Sequence, residues 1–224
     1  MKKTNISLDK INRDELYRYV GTPDDNVRGI IDECEDELIE LVKPGYVWNL
    51  FEIEADETGV RVLGTDILLT GNSIKKHLNG CNKLAMLAAT LSSEADKLIR
   101  KYQINNMVKA VVMDAMASVA VEHVCNLAEE DIKQYLPDMY FTYRFGVGYG
   151  DLPLELEKDI LMVLQGPKTI GLCTTEANIL TPLKSVVCVI GINEKPMEKG
   201  QKGCTTCNIK DTCKYRRQGL NCAY

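Results

Sequence analysis

The sequence predicts an α+β protein with a helical amino-terminal part, antiparallel strands and a cysteine-rich carboxyl-terminal tail. Three observations carry that expectation. Apolar residues recur at helical spacing through residue 42 and again over 105–135. Residues 46–69 and 182–192 are rich in β-branched and aromatic side chains and are bounded by turn formers. Four cysteines are gathered between Cys204 and Cys222, apart from the apolar segments.

The spacing predicts a first helix over 9–20, with Ile11, Leu16, Tyr17 and Val20 on one side. A second, over 27–42, has Ile30, Ile31, Cys34, Leu38 and Leu41 as its inner stripe. Gly21-Thr-Pro-Asp separates the two, leaving Asp24 or Asp25 to cap the second, and Lys43-Pro-Gly ends it. Runs at 47–53, 60–63 and 66–69, divided by turns at 56–59 and 64–65, predict a small antiparallel meander. Trp48, the only tryptophan, is expected to be buried. A helix over 72–78 stops at Gly80. Residues 83–102 then read as a helix with a small-residue patch at Ala85, Ala88 and Ala89.

The segment 105–135 is apolar on most sides and rich in alanine, the pattern of a central, closely packed helix. Glu122 and His123 interrupt it. A buried carboxylate must be paired or hydrogen-bonded, so Glu122 is either structural or aimed at a ligand. His77 and His123 are the only histidines, too few for a histidine-rich metal site. A short amphipathic helix over 154–164 and a strong strand over 182–192 follow, then a linker over 193–202. No internal repeat or low-complexity tract is present.

At 224 residues the chain is long enough for one large domain or two small ones. We expect an α+β domain over 1–196 and a separate tail over 197–224. Hydrophobic content of 45% and charged content of 26% are ordinary for a globular protein. A net charge of −5 and a pI near 5.2 argue against nucleic-acid binding, which calls for a basic surface. No apolar run approaches the ~20 residues that span a bilayer, and no apolar stretch follows Lys2 and Lys3 to make a signal peptide. The expected location is the cytoplasm. Nine cysteines, an odd number without a secretion signal, do not suggest a disulfide framework. Cys34, Cys81, Cys125, Cys173 and Cys188 read as small buried hydrophobes.

The most informative segment is Arg144-Phe-Gly-Val-Gly-Tyr-Gly-Asp-Leu-Pro153. Glycines at alternate positions turn the chain or let the backbone approach a ligand closely. Arg144 offers a planar, permanently charged fork suited to a carboxylate. Tyr149 adds a flat face with a hydroxyl at its tip. Together they point to a small-molecule site.

The tail carries Cys204-x2-Cys207-x5-Cys213-x8-Cys222, with six basic residues and one acidic residue over 199–217. A Cys-x2-Cys pair lets two thiolates face one metal, and the later two complete a tetrahedral set. The spacing is neither the bacterial ferredoxin run nor two spaced pairs of a zinc ribbon. Zinc would make the tail a structural clip, and an iron–sulfur cluster would make it an electron inlet. The basic residues also suit docking on an acidic face.

With these residues laid out, the chain resembles the activation domain of cobalamin-dependent methionine synthase, and more closely the short free-standing relatives of that domain in anaerobic bacteria. The resemblance runs from about Asp9 to Ile192. It rests on Arg144-Phe-Gly-Val-Gly-Tyr149, the alanine-rich helix bearing Glu122, Thr175-Glu176 with Pro182 and Ser185, and the segment 80–90. It implies S-adenosylmethionine binding and reactivation, by reductive methylation of Co(II) cobalamin, of a separate methionine synthase or related corrinoid protein. Flavodoxin or ferredoxin would be the reductant. Arg144 would hold the methionyl carboxylate, Gly146 and Gly148 would lend backbone to the ligand, and Tyr149 would pack on it. Glu122 would sit near the ammonium and sulfonium, with Thr175 and Glu176 lining the same region. The family's early Asp-Trp-Ser/Thr-Pro-type motif has no counterpart here, and the late aromatic residue expected near Ile190 is absent. The other function compatible with these residues is an iron–sulfur or zinc adaptor that docks on a corrinoid protein without binding the nucleotide.

Overall fold

The computed structural model describes residues 1–21, 23–196 and 211–212. It opens with a short strand, β1 (Lys2–Asn5), and two helices, α1 (Arg13–Val20) and α2 (Asp25–Leu41). Each helix begins where a side-chain oxygen satisfies a free amide. Asn12 accepts from the Glu15 N–H at 3.2 Å, and Asp24 accepts from the Val27 N–H at 2.9 Å. Ile31, Cys34 and Leu38 form the buried side of α2, while Leu41 is largely exposed. Glu35 is buried on the same helix, and it is fully engaged. It accepts from the Ile11 N–H at 2.8 Å and pairs with Arg13.

The meander follows as β2 (Gly45–Ala55), β3 (Val60–Val62) and β4 (Leu68–Leu69), and then α3 (Asn72–His77). Residues 83–102 are not one helix. They divide into a strand, β5 (Lys83–Thr90), and a helix, α4 (Ser93–Asn105). Every position of β5 from Leu84 to Thr90 is buried, because the strand lies between two others with helices over both faces. Such a strand has no polar alternation, and its alanines mimic a helical run. After α5 (Met107–Tyr135) come β6 (Tyr140–Phe141), β7 (Phe145–Gly146), α6 (Leu156–Val163), α7 (Gly166–Thr169), the hairpin β8 (Cys173–Thr174) and β9 (Leu180–Thr181), and β10 (Ser185–Asn193).

The main sheet is antiparallel throughout, in the order β4-β3-β2-β5-β10-β6. Its three long strands, β2, β5 and β10, form the centre. Short strands flank this centre: β1 and β3 share the outer side of β2, with β4 beyond β3, and β6 and β7 share the outer side of β10. Trp48, Ala85, Leu87, Ala89, Cys188 and Ile190 point to one face, which α1, α2, α4 and α5 cover. Val47, Leu84, Met86, Ala88, Val187 and Val189 point to the other, covered by α3 and α6. Small residues on β5 let α5 lie close across the sheet. Trp48 is buried, and its indole N–H donates to Asp131 on α5 at 2.9 Å. Of the five cysteines expected inside, Cys34, Cys125 and Cys188 are buried and Cys81 is partly so. Cys173 is exposed, since β8 belongs to a surface hairpin.

Candidate functional site

Strand alternation puts Arg144 where a helix can reach it. Phe145 pairs with Val189 and Gly146 with Cys188. Phe145 packs into the α3/α6 side, so Arg144, one residue earlier, emerges on the α5 side. There its Nη1 donates to Glu129 at 2.8 Å and its Nη2 to Glu122 at 3.1 Å. Glu122 and Glu129 lie seven residues apart, two turns along one face of α5. Lys133, one turn further on, donates to Glu129 at 2.7 Å.

The structure thus brings Arg144 and Glu122 together and adds Glu129, which inspection of the sequence did not single out. Glu129 stands in the polar carboxyl-terminal half of α5 among Glu130 and Asp131, where a carboxylate reads as a solvated face. The seven-residue offset from Glu122 was the signal available. Nor is Glu122 buried as the apolar pattern suggested: its side chain is 45% exposed, because α5 turns this face outward beside the sheet edge. Burial works against the charge of Arg144, but the acidic groups around it, Glu122 and Glu129 among them, outweigh that and lift its pKa above the ordinary arginine value.

Beneath the guanidinium lie two buried thiols, Cys125 and Cys188. Burial pushes Cys188 up to about 12 and Cys125 well above the usual thiol range. Both are protonated at neutral pH, so neither is a nucleophile.

The glycine-rich loop leaves β7 with the Val147 N–H donating to the Val187 carbonyl at 3.1 Å. Gly148 has φ +82°, a backbone conformation that favours glycine, and a Cβ there would stand 2.7 Å from Leu154 Cδ1, the movable end of a partly exposed side chain. Asp151 then fixes the loop to the start of α3. It accepts from the Asn72 N–H at 2.6 Å and the Ser73 N–H at 2.9 Å, and these amides hold its pKa below the usual carboxylate value. Gly146 has an ordinary backbone and lies under the Tyr149 ring, 3.4 Å from where its Cβ would be. Tyr149 is 73% exposed and free to meet a ligand.

Thr175 and Glu176 are exposed at the tip of the β8–β9 hairpin. The Thr175 hydroxyl accepts from the Ile179 N–H at 3.2 Å, closing the turn. The hairpin leads into the Ser185 end of β10, the end towards which the glycine loop also runs. Among the described residues, neither side chain bonds to Arg144 or Glu122. His77 packs edge-on to Tyr143 at 4.4 Å and shares a 2.8 Å hydrogen bond with Thr142, behind the loop. His123 is exposed beside a hollow of about 490 Å³ between α5 and residues 5–10, away from Arg144.

Cys204, Cys207, Cys213 and Cys222 lie outside the described residues. Among the described residues no group of three or more histidine, cysteine or acidic side chains is placed to hold a metal ion, and no helix is long and apolar enough to cross a membrane.

The structure thus places a guanidinium bonded to two carboxylates close in sequence to a tight backbone turn and an exposed phenol ring. The fold around it has a solved counterpart. The MetH reactivation domain bound to AdoHcy superposes with a TM-score of 0.65 at 13% sequence identity, over 98% of this chain and 86% of that one. The chain therefore has the α+β fold of that reactivation domain. No protein-family model matches the sequence, and no curated protein does.

Proposed function

We propose that this protein binds S-adenosylmethionine and presents its methyl group to a separate corrinoid-dependent methyltransferase, methionine synthase or a relative, to reactivate it. The observation that carries the proposal is the Arg144–Glu122–Glu129 cluster beside the Gly148 turn, on a fold whose solved counterpart holds AdoHcy. The charges suit the ligand. With Lys133 on Glu129 the cluster is neutral overall, so the match is group by group: the donor brings a carboxylate for the guanidinium, and an ammonium and a sulfonium for a carboxylate. Arg144 takes the carboxylate, Glu122 faces the cationic groups, and the backbone of Gly146 and Gly148 with the Tyr149 ring takes the nucleoside.

In the proposed reaction, one electron from a flavodoxin- or ferredoxin-type reductant converts the partner's Co(II) to Co(I). The cobalt then takes the methyl group from the sulfonium, leaving S-adenosylhomocysteine. The favourable transfer draws the unfavourable reduction forward. This chain's own task is to hold the sulfonium in line and exclude other nucleophiles. No general acid or base is required, in keeping with two inert thiols beneath the site. Thr175 and Glu176 are assigned to the same binding region. The tail cysteines Cys204, Cys207, Cys213 and Cys222 are assigned a metal, zinc or an iron–sulfur cluster, and no step above runs through it.

Titration calorimetry with S-adenosylmethionine tests the donor site. Binding is expected, and Arg144→Ala weakens it by about 1.5–3 kcal/mol as charged hydrogen bonds to the carboxylate are lost. Equal affinity in wild type and variant would place the carboxylate elsewhere. Absence of heat from the wild type would remove the proposal.

A further inference from the structure

Arg144 is engaged before any ligand arrives, and its two partners are not equivalent. Glu129 has a side chain 19% exposed and is held a second time by Lys133 at 2.7 Å. Glu122 is 45% exposed, its bond is longer at 3.1 Å, and Arg144 is its one ion-pair partner among the described residues. Water competes more effectively for the exposed pair, so Glu122 is the partner more easily given up.

We propose that Glu122 is an internal stand-in for the ligand's carboxylate, and that Glu129 is the positioning residue that keeps the guanidinium in place while the two exchange. This inference rests on the donor-binding proposal above. An incoming amino-acid carboxylate takes over Nη2 of Arg144. The displaced Glu122 then meets the ligand's own ammonium, so every charge leaves one partner and gains another. A ligand with the carboxylate but without the ammonium displaces Glu122 and gives it no new partner, so the ion pair lost is not replaced and two carboxylates are left close together. A ligand with neither group leaves the cluster undisturbed. The cluster therefore selects the intact amino-acid end of the molecule, in addition to the nucleoside.

The test measures binding of three adenosyl thioethers to the full chain: S-adenosylhomocysteine, its deaminated analogue that keeps the carboxylate, and 5′-methylthioadenosine, which has neither charged group. Glu122→Gln is expected to weaken S-adenosylhomocysteine about tenfold, yet to bind the deaminated analogue about three- to tenfold tighter than wild type, since a neutral amide releases the guanidinium cheaply. Glu129→Gln weakens both carboxylate-bearing ligands about tenfold or more and shifts methylthioadenosine far less. Lys133→Ala acts in the same direction with a smaller effect. A deaminated analogue that binds wild type and Glu122→Gln alike overturns the stand-in role. A Glu129→Gln protein that keeps its affinity for S-adenosylhomocysteine, or loses all three ligands equally, overturns the positioning role. Wild type that binds none of the three is a different result, and it removes the donor-binding proposal itself.

Discussion

Glu157 and Arg144 are both shielded from water, with opposite consequences. Arg144 is surrounded by acidic groups and stays charged. Glu157, on the first turn of α6, is only 6% exposed, and its Oε2 has no hydrogen-bond partner among the described residues. Burial pushes its pKa up to about 7. In the folded protein it therefore holds a proton between its ordinary value near 4.5 and about 7, where the unfolded chain has lost it. Stability from this group is greatest below the unfolded value and declines as pH rises through the folded one. Glu157→Gln removes the titration while keeping the shape. The variant is expected to gain about 1–3 kcal/mol over wild type at pH 8 and to differ little at pH 4, by urea unfolding at each pH. A difference that does not change with pH would show that Glu157 is solvated.

Helices with one dry side and a capping residue were readable in the sequence, and α2 illustrates why: Ile31, Cys34 and Leu38 repeat at its period behind the Asp24 cap. Strand β5 was not, because burial on both faces erases the alternation that marks a strand. Ala88→Leu tests the strand assignment. In the centre of the sheet, between Val47 and Val187, the added methylenes have no space and cost about 1–3 kcal/mol in urea unfolding. Strands β1, β6, β7, β8 and β9 are two to four residues long, too short to show any period, and their positions follow from the partners they find. The site divides in the same way. Arg144 and the Gly148 turn stand out locally, whereas the bond to Glu129 joins residues on different elements and exists only once α5 lies across the sheet edge.

Among the described residues, both buried clusters and the main sheet are built from residues up to Asn193. The proposed domain division at 196/197 has a direct test. A chain ending at residue 196 is expected to keep the cooperative thermal transition and the S-adenosylhomocysteine affinity of the full protein, and to lose whatever metal the full protein carries by elemental analysis. Collapse of the transition on truncation would put the tail inside the folding unit.

The outer border of β10 is interrupted by design of its sequence. Between β6 and β7 the Thr142 N–H donates to the Gly191 carbonyl at 2.9 Å while its hydroxyl accepts from the Gly191 N–H at 2.9 Å. One side chain thus substitutes for a ladder rung where the two short strands part. A neighbouring polypeptide seeking to extend the sheet meets two strands of two residues each, parted by a step, in place of one long straight edge. Concentrated solutions of the protein should for that reason resist fibrous self-association along this side.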